Sequence, residues 1–202
     1  MRVSISMDRR RFLQLTGTAA AGAGIVFSAG EQNLFAQTQN ENNKNKKEIS
    51  AMNIVVAADP FAVTLKDAVV AHLKEKGYKV TDVGATTDKE IPYYEGVVPA
   101  CKMLQEKKAD RALLFCGTGM GMSVIANRFP GVIASCVESV FATEMCRTIN
   151  DANALCMGAM IWGEWMAKTA VDVFLETPFA EGLPDLADFL RDAAKKVEKI
   201  QP

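Results

Sequence analysis

The sequence predicts an α/β fold: a doubly wound, Rossmann-like parallel sheet of five strands with flanking helices. Two observations carry this. From Met52 onward, short apolar runs alternate with segments of helical period, and strand–helix alternation folds as a parallel sheet with right-handed crossovers. Midway, Leu113-Leu114-Phe115-Cys116 runs directly into Gly117-Thr118-Gly119-Met120-Gly121, the pattern of a strand ending at a tight corner that opens a helix.

In chain order, Asn53–Ala58 is the first strand, ended by Asp59. Val63–Lys76 sets Leu65, Ala68, Val69 and Leu73 on one helical face, and Gly77 caps it. Lys79–Val83 is a second short strand. Tyr93–Lys107 is a helix with Val97, Val98, Cys101 and Leu104 inward. Arg111–Phe115 is the third strand, Met122–Asn127 the start of the next helix, and Val132–Val137 the fourth strand. Val140–Asn150 is a helix, and Ala154–Met157 with Met160–Trp162 forms a fifth extended stretch. Glu164–Leu175 and the amphipathic Pro184–Ile200 complete the chain. Such sheets bind ligands beyond the carboxyl ends of their strands, where Asp59, Cys116 and Glu138 fall.

Glycines at the central corner let backbone N–H groups converge on a ligand oxygen, and the helix N-terminus adds partial positive charge. A thiol there sits where its thiolate is favoured. Cys116 is therefore a candidate base toward carbon, with the loop amides holding the resulting oxyanion. A buried structural cysteine before a tight turn is the alternative. A dinucleotide site fits less well. Gly117 and Gly119 match the first two glycines of that fingerprint and Glu138 its ribose-binding acid, but Met122 occupies the third glycine position and the loop follows the third strand.

A net charge of -1 with interspersed acids and bases gives no nucleic-acid or membrane-surface footprint. The five cysteines lack C-x-x-C spacing and His72 is the sole histidine, so neither a metal site nor a disulfide framework is expected. At the N-terminus, Arg9-Arg10-Arg11-Phe12-Leu13 precedes an Ala/Gly-rich run from Leu15 to Phe27 that is too short and glycine-rich for a stable membrane anchor. Residues 1–36 resemble a twin-arginine signal peptide, cut after Ala36 or Ala29, which implies export of the folded protein, to the periplasm or beyond. Residues 37–51 are a polar linker, and 52–202 the folded domain with its C-terminal helix.

The loop Cys116-Gly117-Thr118-Gly119-Met120-Gly121, continued to Gly131, resembles the ribose-5-phosphate isomerase B and galactose-6-phosphate isomerase family. So do Asp59-Pro60-Phe61-Ala62 with Leu65-Lys66, Gly84 followed by Pro92-Tyr93-Tyr94, Arg147 with Asn150-Asp151-Ala152-Asn153, and Gly158 with Gly163. The resemblance covers residues 53 to 178. It implies a sugar isomerase working through an enediolate without metal or other cofactor, and a homodimer or higher homo-oligomer whose site is shared between subunits. Cys116 would be the base. Thr118 and the amides of Gly117, Gly119 and Gly121 would bind the oxyanion. Asp59 would orient hydroxyls, and Asn150 and Asp151 would bind substrate. For Asp59 a helix N-cap, and for Asn150 and Asp151 a helix-end turn, are the structural alternatives.

The departures from the family pattern share one chemistry. Pro60 stands where the family has histidine, Ile149 where it has the ring-opening histidine, and Met160 where it has arginine. Ile91 replaces a tyrosine, and Glu181-Gly182-Leu183-Pro184-Asp185 replaces a basic cluster. A phosphate dianion needs cationic or N–H donors, so the expected substrate is an unphosphorylated sugar or keto-sugar. A non-catalytic sugar-binding protein, or a supporting subunit of a hetero-oligomer, is the alternative. Trp162, Trp165, Met160 and Met166 are either a sugar-stacking wall or core and interface.

Overall fold

The computed structural model describes residues 52–200; the proposed signal and linker lie outside them. Five strands form one sheet, ordered β2-β1-β3-β5-β4, with every pairing parallel. They are β1 (Asn53–Ala58), β2 (Lys79–Asp82), β3 (Arg111–Cys116), β4 (Ala134–Cys136) and β5 (Ala154–Gly158). The helices are α1 (Val63–Lys76), α2 (Tyr93–Gln105), α3 (Met120–Ala126), α4 (Val140–Asn150), α5 (Glu164–Glu176) and α6 (Ala187–Val197).

The central strands are buried on both faces, as parallel strands under two helical layers must be. Ile54, Val56, Leu113, Phe115, Leu155 and Met157 pack on the face covered by α1, α4 and α5. Val55, Ala57, Leu114, Cys116, Ala154 and Cys156 pack on the face covered by α2 and α3. Because α1 and α2 lie on opposite faces, the crevice opens between the carboxyl ends of β1 and β3. Asp59 follows the one and Cys116 ends the other.

The edge beside β1 is held by a buried ion pair. Lys66 is 1 % exposed, and its Nζ reaches Asp82 Oδ2 (2.5 Å), the Ala85 carbonyl (2.9 Å) and Asp67 Oδ1 (3.0 Å). Burial pushes the ammonium pKa down, but Asp82 and Asp67 more than offset this and leave it raised. Asp82 Oδ1 accepts the Gly84 N–H (3.0 Å), and the Ala85 N–H donates to Ala58 O (2.8 Å). A Cβ on Gly84 would lie 2.2 Å from the Ala58 nitrogen. The strap after β2 is thus pressed onto the residue before Asp59.

Three elements differ from the sequence reading. Met160–Trp162 is not strand: the Ile161 and Trp162 N–H groups both return to Gly158 O (3.0 and 2.9 Å), closing a tight turn directly after β5. The fourth strand shortens to Ala134–Cys136, where the Asn127 side chain bonds both the N–H and the carbonyl of Ala134 and does the work of a neighbouring strand. Pro184–Ile200 divides into a 3-10 turn, Pro184–Leu186, and α6. Among the described residues no helix is long and apolar enough to cross a membrane.

Candidate active site

Cys116 is 5 % exposed, and its Sγ accepts the Gly119 N–H at 3.1 Å. Gly119 takes φ +81 as the residue before α3, and a Cβ there would lie 3.0 Å from the Met157 backbone and 3.1 Å from Cys136 Sγ. Only glycine fits that left-handed and crowded position. The Thr118 hydroxyl accepts the Met120 N–H (3.4 Å). Gly121 lies under the Tyr93 ring, where a Cβ would come within 2.8 Å of Tyr93 Cε2. Pro92-Tyr93 was legible as a matching segment, but its packing on Gly121 left no sequence signal.

Asp59 meets this loop from β1. Its N–H donates to Phe115 O (3.0 Å), and its carboxylate accepts the Ala62 N–H (3.2 Å). Asp59 is therefore the N-cap of the 3-10 turn Pro60–Ala62, and it lines the site as well. Burial raises its pKa; N–H groups of Ala62, Phe61 and Gly117 oppose that without cancelling it. The Gly119 amide is turned onto the Cys116 sulfur.

The five thiols are free and unequal. Burial pushes Cys101 up to about 11, and burial likewise raises Cys136, Cys146 and Cys156. Cys116 alone among them accepts a backbone N–H at its sulfur, from Gly119. Alkylation at neutral pH, followed by peptide mass spectrometry, is expected to modify Cys116 first. Earlier labelling of Cys101 or Cys146 would remove the assignment.

Asn150 and Asp151 do not join this group within one chain. They end α4 at the opposite edge of the sheet, before β5 begins, and five strand residues separate them from the Cys116 level, about 16 Å. Asn150 is exposed. Asp151, at φ +51, forms the helix-end turn and pairs with Arg147 (2.8 Å). Ile149 shares that edge, and so does the 181–185 segment, because the Ala180 N–H donates to Thr148 O (2.9 Å). Arg147 is buried there against Asp151, the carbonyls of Ala152 and Thr177, and the Phe174 ring. His72 pairs with Asp172 (2.8 Å) and ties α1 to α5. Trp162 is core, its Nε1 donating to Val137 O (2.9 Å), whereas Trp165 is 87 % exposed.

Known proteins resemble this chain in sequence and fold. The sequence profile of the ribose/galactose isomerases matches residues 54–199. The chain belongs to the ribose/galactose isomerase family. It is 42 % identical over 153 residues to a 4-deoxy-4-sulfo-D-erythrose isomerase of Clostridium sp. (strain MSTE9), covering 74 % of this chain and 96 % of that one. It is 31 % identical over 150 residues to a D-erythrulose-4-phosphate isomerase of Pectobacterium atrosepticum, covering 74 % and 93 %. The ribose 5-phosphate isomerase structure from Thermotoga maritima superposes with a TM-score of 0.66 at 30 % identity, covering 74 % of this chain and 99 % of that one. This family member is a sugar isomerase acting on a small-molecule sugar.

Proposed function

We propose that this isomerase interconverts a short, open-chain aldose and its ketose, carrying no phosphate, through an enediolate with Cys116 as the carbon base. In the forward direction the Cys116 thiolate takes the proton from C2 while the electron pair moves through C1 onto O1. The Thr118–Gly121 corner holds the developing charge. Asp59 orients the hydroxyls and passes a proton between O2 and O1. The C2 carbonyl then forms, and Cys116 returns its proton to C1.

The observation that carries the substrate class is where the cations lie. Among the described residues, Arg111, Arg128 and Arg147 sit at the end of the sheet opposite Cys116, and Arg191 is on α6. Arg147, which a second copy would bring along with Asn150, is 2 % exposed and spent on Asp151 and the carbonyls of Ala152 and Thr177. Of the lysines at the Cys116 end, Lys168 is paired with Glu164 and Lys89 is exposed on the loop before α2. Lys66, near the crevice, is sealed and spent on Asp82. Met160, standing where the family has arginine, packs on Gly117. The relatives' names suggest four-carbon sugars substituted at C4. A tetrose without a free C4 hydroxyl cannot close a five-membered ring, so Ile149 in place of a ring-opening histidine costs nothing. Purified protein is expected to turn over ribose 5-phosphate at least about two orders of magnitude less efficiently than an unphosphorylated or sulfonated tetrulose, because a dianion without charge-assisted donors pays several kcal/mol. Comparable efficiency on ribose 5-phosphate overturns the substrate reading.

The proposal includes a homodimer. The residues assigned to substrate fall into two groups at opposite ends of one chain's sheet, so a second copy must bring Asn150 to Cys116. The largely uncovered stripe of α6 and the 3-10 turn before it, with Leu186, Phe189 and Val197 exposed, offers it a surface. The proposal also places the reaction outside the cytoplasm, on the strength of Arg9-Arg10-Arg11-Phe12-Leu13. Changing Arg9 and Arg10 to lysine is expected to strand the precursor inside; unchanged export on fractionation contradicts the signal.

A further inference from the structure

Beside the corner lies a cleft of about 270 Å³ with a different character. It runs between the first turns of α1 and the turn after β5, and is lined chiefly by Phe61, Leu65, Ala68, Ala159 and Trp162. Its polar groups are few. Thr64 is one. Glu164 is the other, and its carboxylate is already paired with Lys168 (2.6 Å). The cleft is joined to the reacting end through the backbone: the Ala159 N–H donates to the carbonyl of Cys116 itself (2.9 Å), and the Met160 N–H to that of Gly117 (3.0 Å). Phe61 and Met160 meet over Gly117, with Met160 Cε 3.4 Å and Phe61 Cδ1 4.0 Å from where its Cβ would be. Both are large apolar side chains more than 60 % exposed, 64 % and 62 %, at the mouth of a site for a polyhydroxylated molecule.

We propose that this cleft is a subsite for the far end of the substrate and that it selects a chain whose terminal carbon bears no hydroxyl. The inference rests on the isomerase reading above. A methylene or methyl group there gains apolar contact with Phe61, Ala68 and Ala159. A hydroxyl there gives up part of its water and meets only the Thr64 hydroxyl and the Glu164 carboxylate, so it gains less than an apolar group does. The subsite is indifferent to what lies beyond the deoxy carbon, provided that carbon can rest on the wall.

The test compares D-erythrulose with its 4-deoxy analogue, two ketoses that both stay in open-chain form, so that ring opening does not enter. Binding to the full-length mature protein is measured by competition, and solvent-deuterium incorporation is followed separately. The wild type is expected to bind the 4-deoxy ketose about tenfold more tightly. Ala68→Ser, a half-buried position on α1 that adds a hydroxyl to the cleft, and Phe61→Asn, which makes the wall polar, should each bring the ratio toward one without changing oligomeric state by light scattering. A wild-type ratio near one, binding of neither ketose, or a ratio untouched by both substitutions overturns the subsite. A binding preference without deuterium incorporation supports the subsite and counts against the isomerase chemistry assigned to Cys116, so the two failures are distinguishable.

Discussion

Cys116→Ala is expected to remove about two to four orders of magnitude of isomerase activity, the usual worth of a positioned base, while leaving the fold intact. Within the corner no other side chain can replace it. Thr118 is a hydroxyl already accepting from Met120, and the Asp59 carboxylate caps the Pro60–Ala62 turn by accepting the Ala62 N–H. The neighbouring thiols are poor substitutes, since burial raises the pKa values of Cys136 and Cys156 and disfavours their thiolates. The substitution deletes one buried sulfur at a strand end, so stability should fall by only about 1 kcal/mol. A variant with near-normal turnover would return Cys116 to the role of a structural cysteine before a turn.

Gly158→Ala is expected to cost activity of similar size by another route. Gly158 ends β5 beside Cys116, and a Cβ there would lie 2.6 Å from the Cα and carbonyl carbon of Thr118 and 2.7 Å from its oxygen. These are backbone atoms, so no side chain can rotate away and the loop itself must move. A displacement of about 1 Å at a reacting group costs about a hundredfold in rate, and forcing a methyl group into a packed site costs about 1–3 kcal/mol in stability. The expected signature is a lower kcat with the same circular dichroism spectrum. Gly163, which has nothing within reach of an added Cβ, is the control: Gly163→Ala should leave the rate unchanged.

The parallel sheet was legible because its strands are short apolar runs punctuated by helices, and the corner because three glycines follow one cysteine. Strand order was not. Nothing in Ala134–Cys136 or Ala154–Gly158 says that the later strand lies inside the earlier one, because that depends on which helix crosses which face. Met160–Trp162 was misread as strand because its residues are apolar; two N–H groups returning to Gly158 decide otherwise. The site was legible in composition and not in arrangement. Asp59, Cys116 and Thr118 lie together at the carboxyl ends of β1 and β3. Asn150 and Asp151 lie on the opposite edge of the same chain, and adjacency across a subunit boundary leaves no mark in a linear pattern.

The central claim, carbon-proton transfer by Cys116 on an unphosphorylated sugar, is tested most directly by incubating the purified protein with D-erythrulose in deuterated water and following the C1 protons by NMR. A stereospecific loss of one C1 proton signal, absent from Cys116→Ala, is the result expected. Exchange that persists unchanged in Cys116→Ala, or exchange confined to phosphorylated sugars in the wild type, would contradict it.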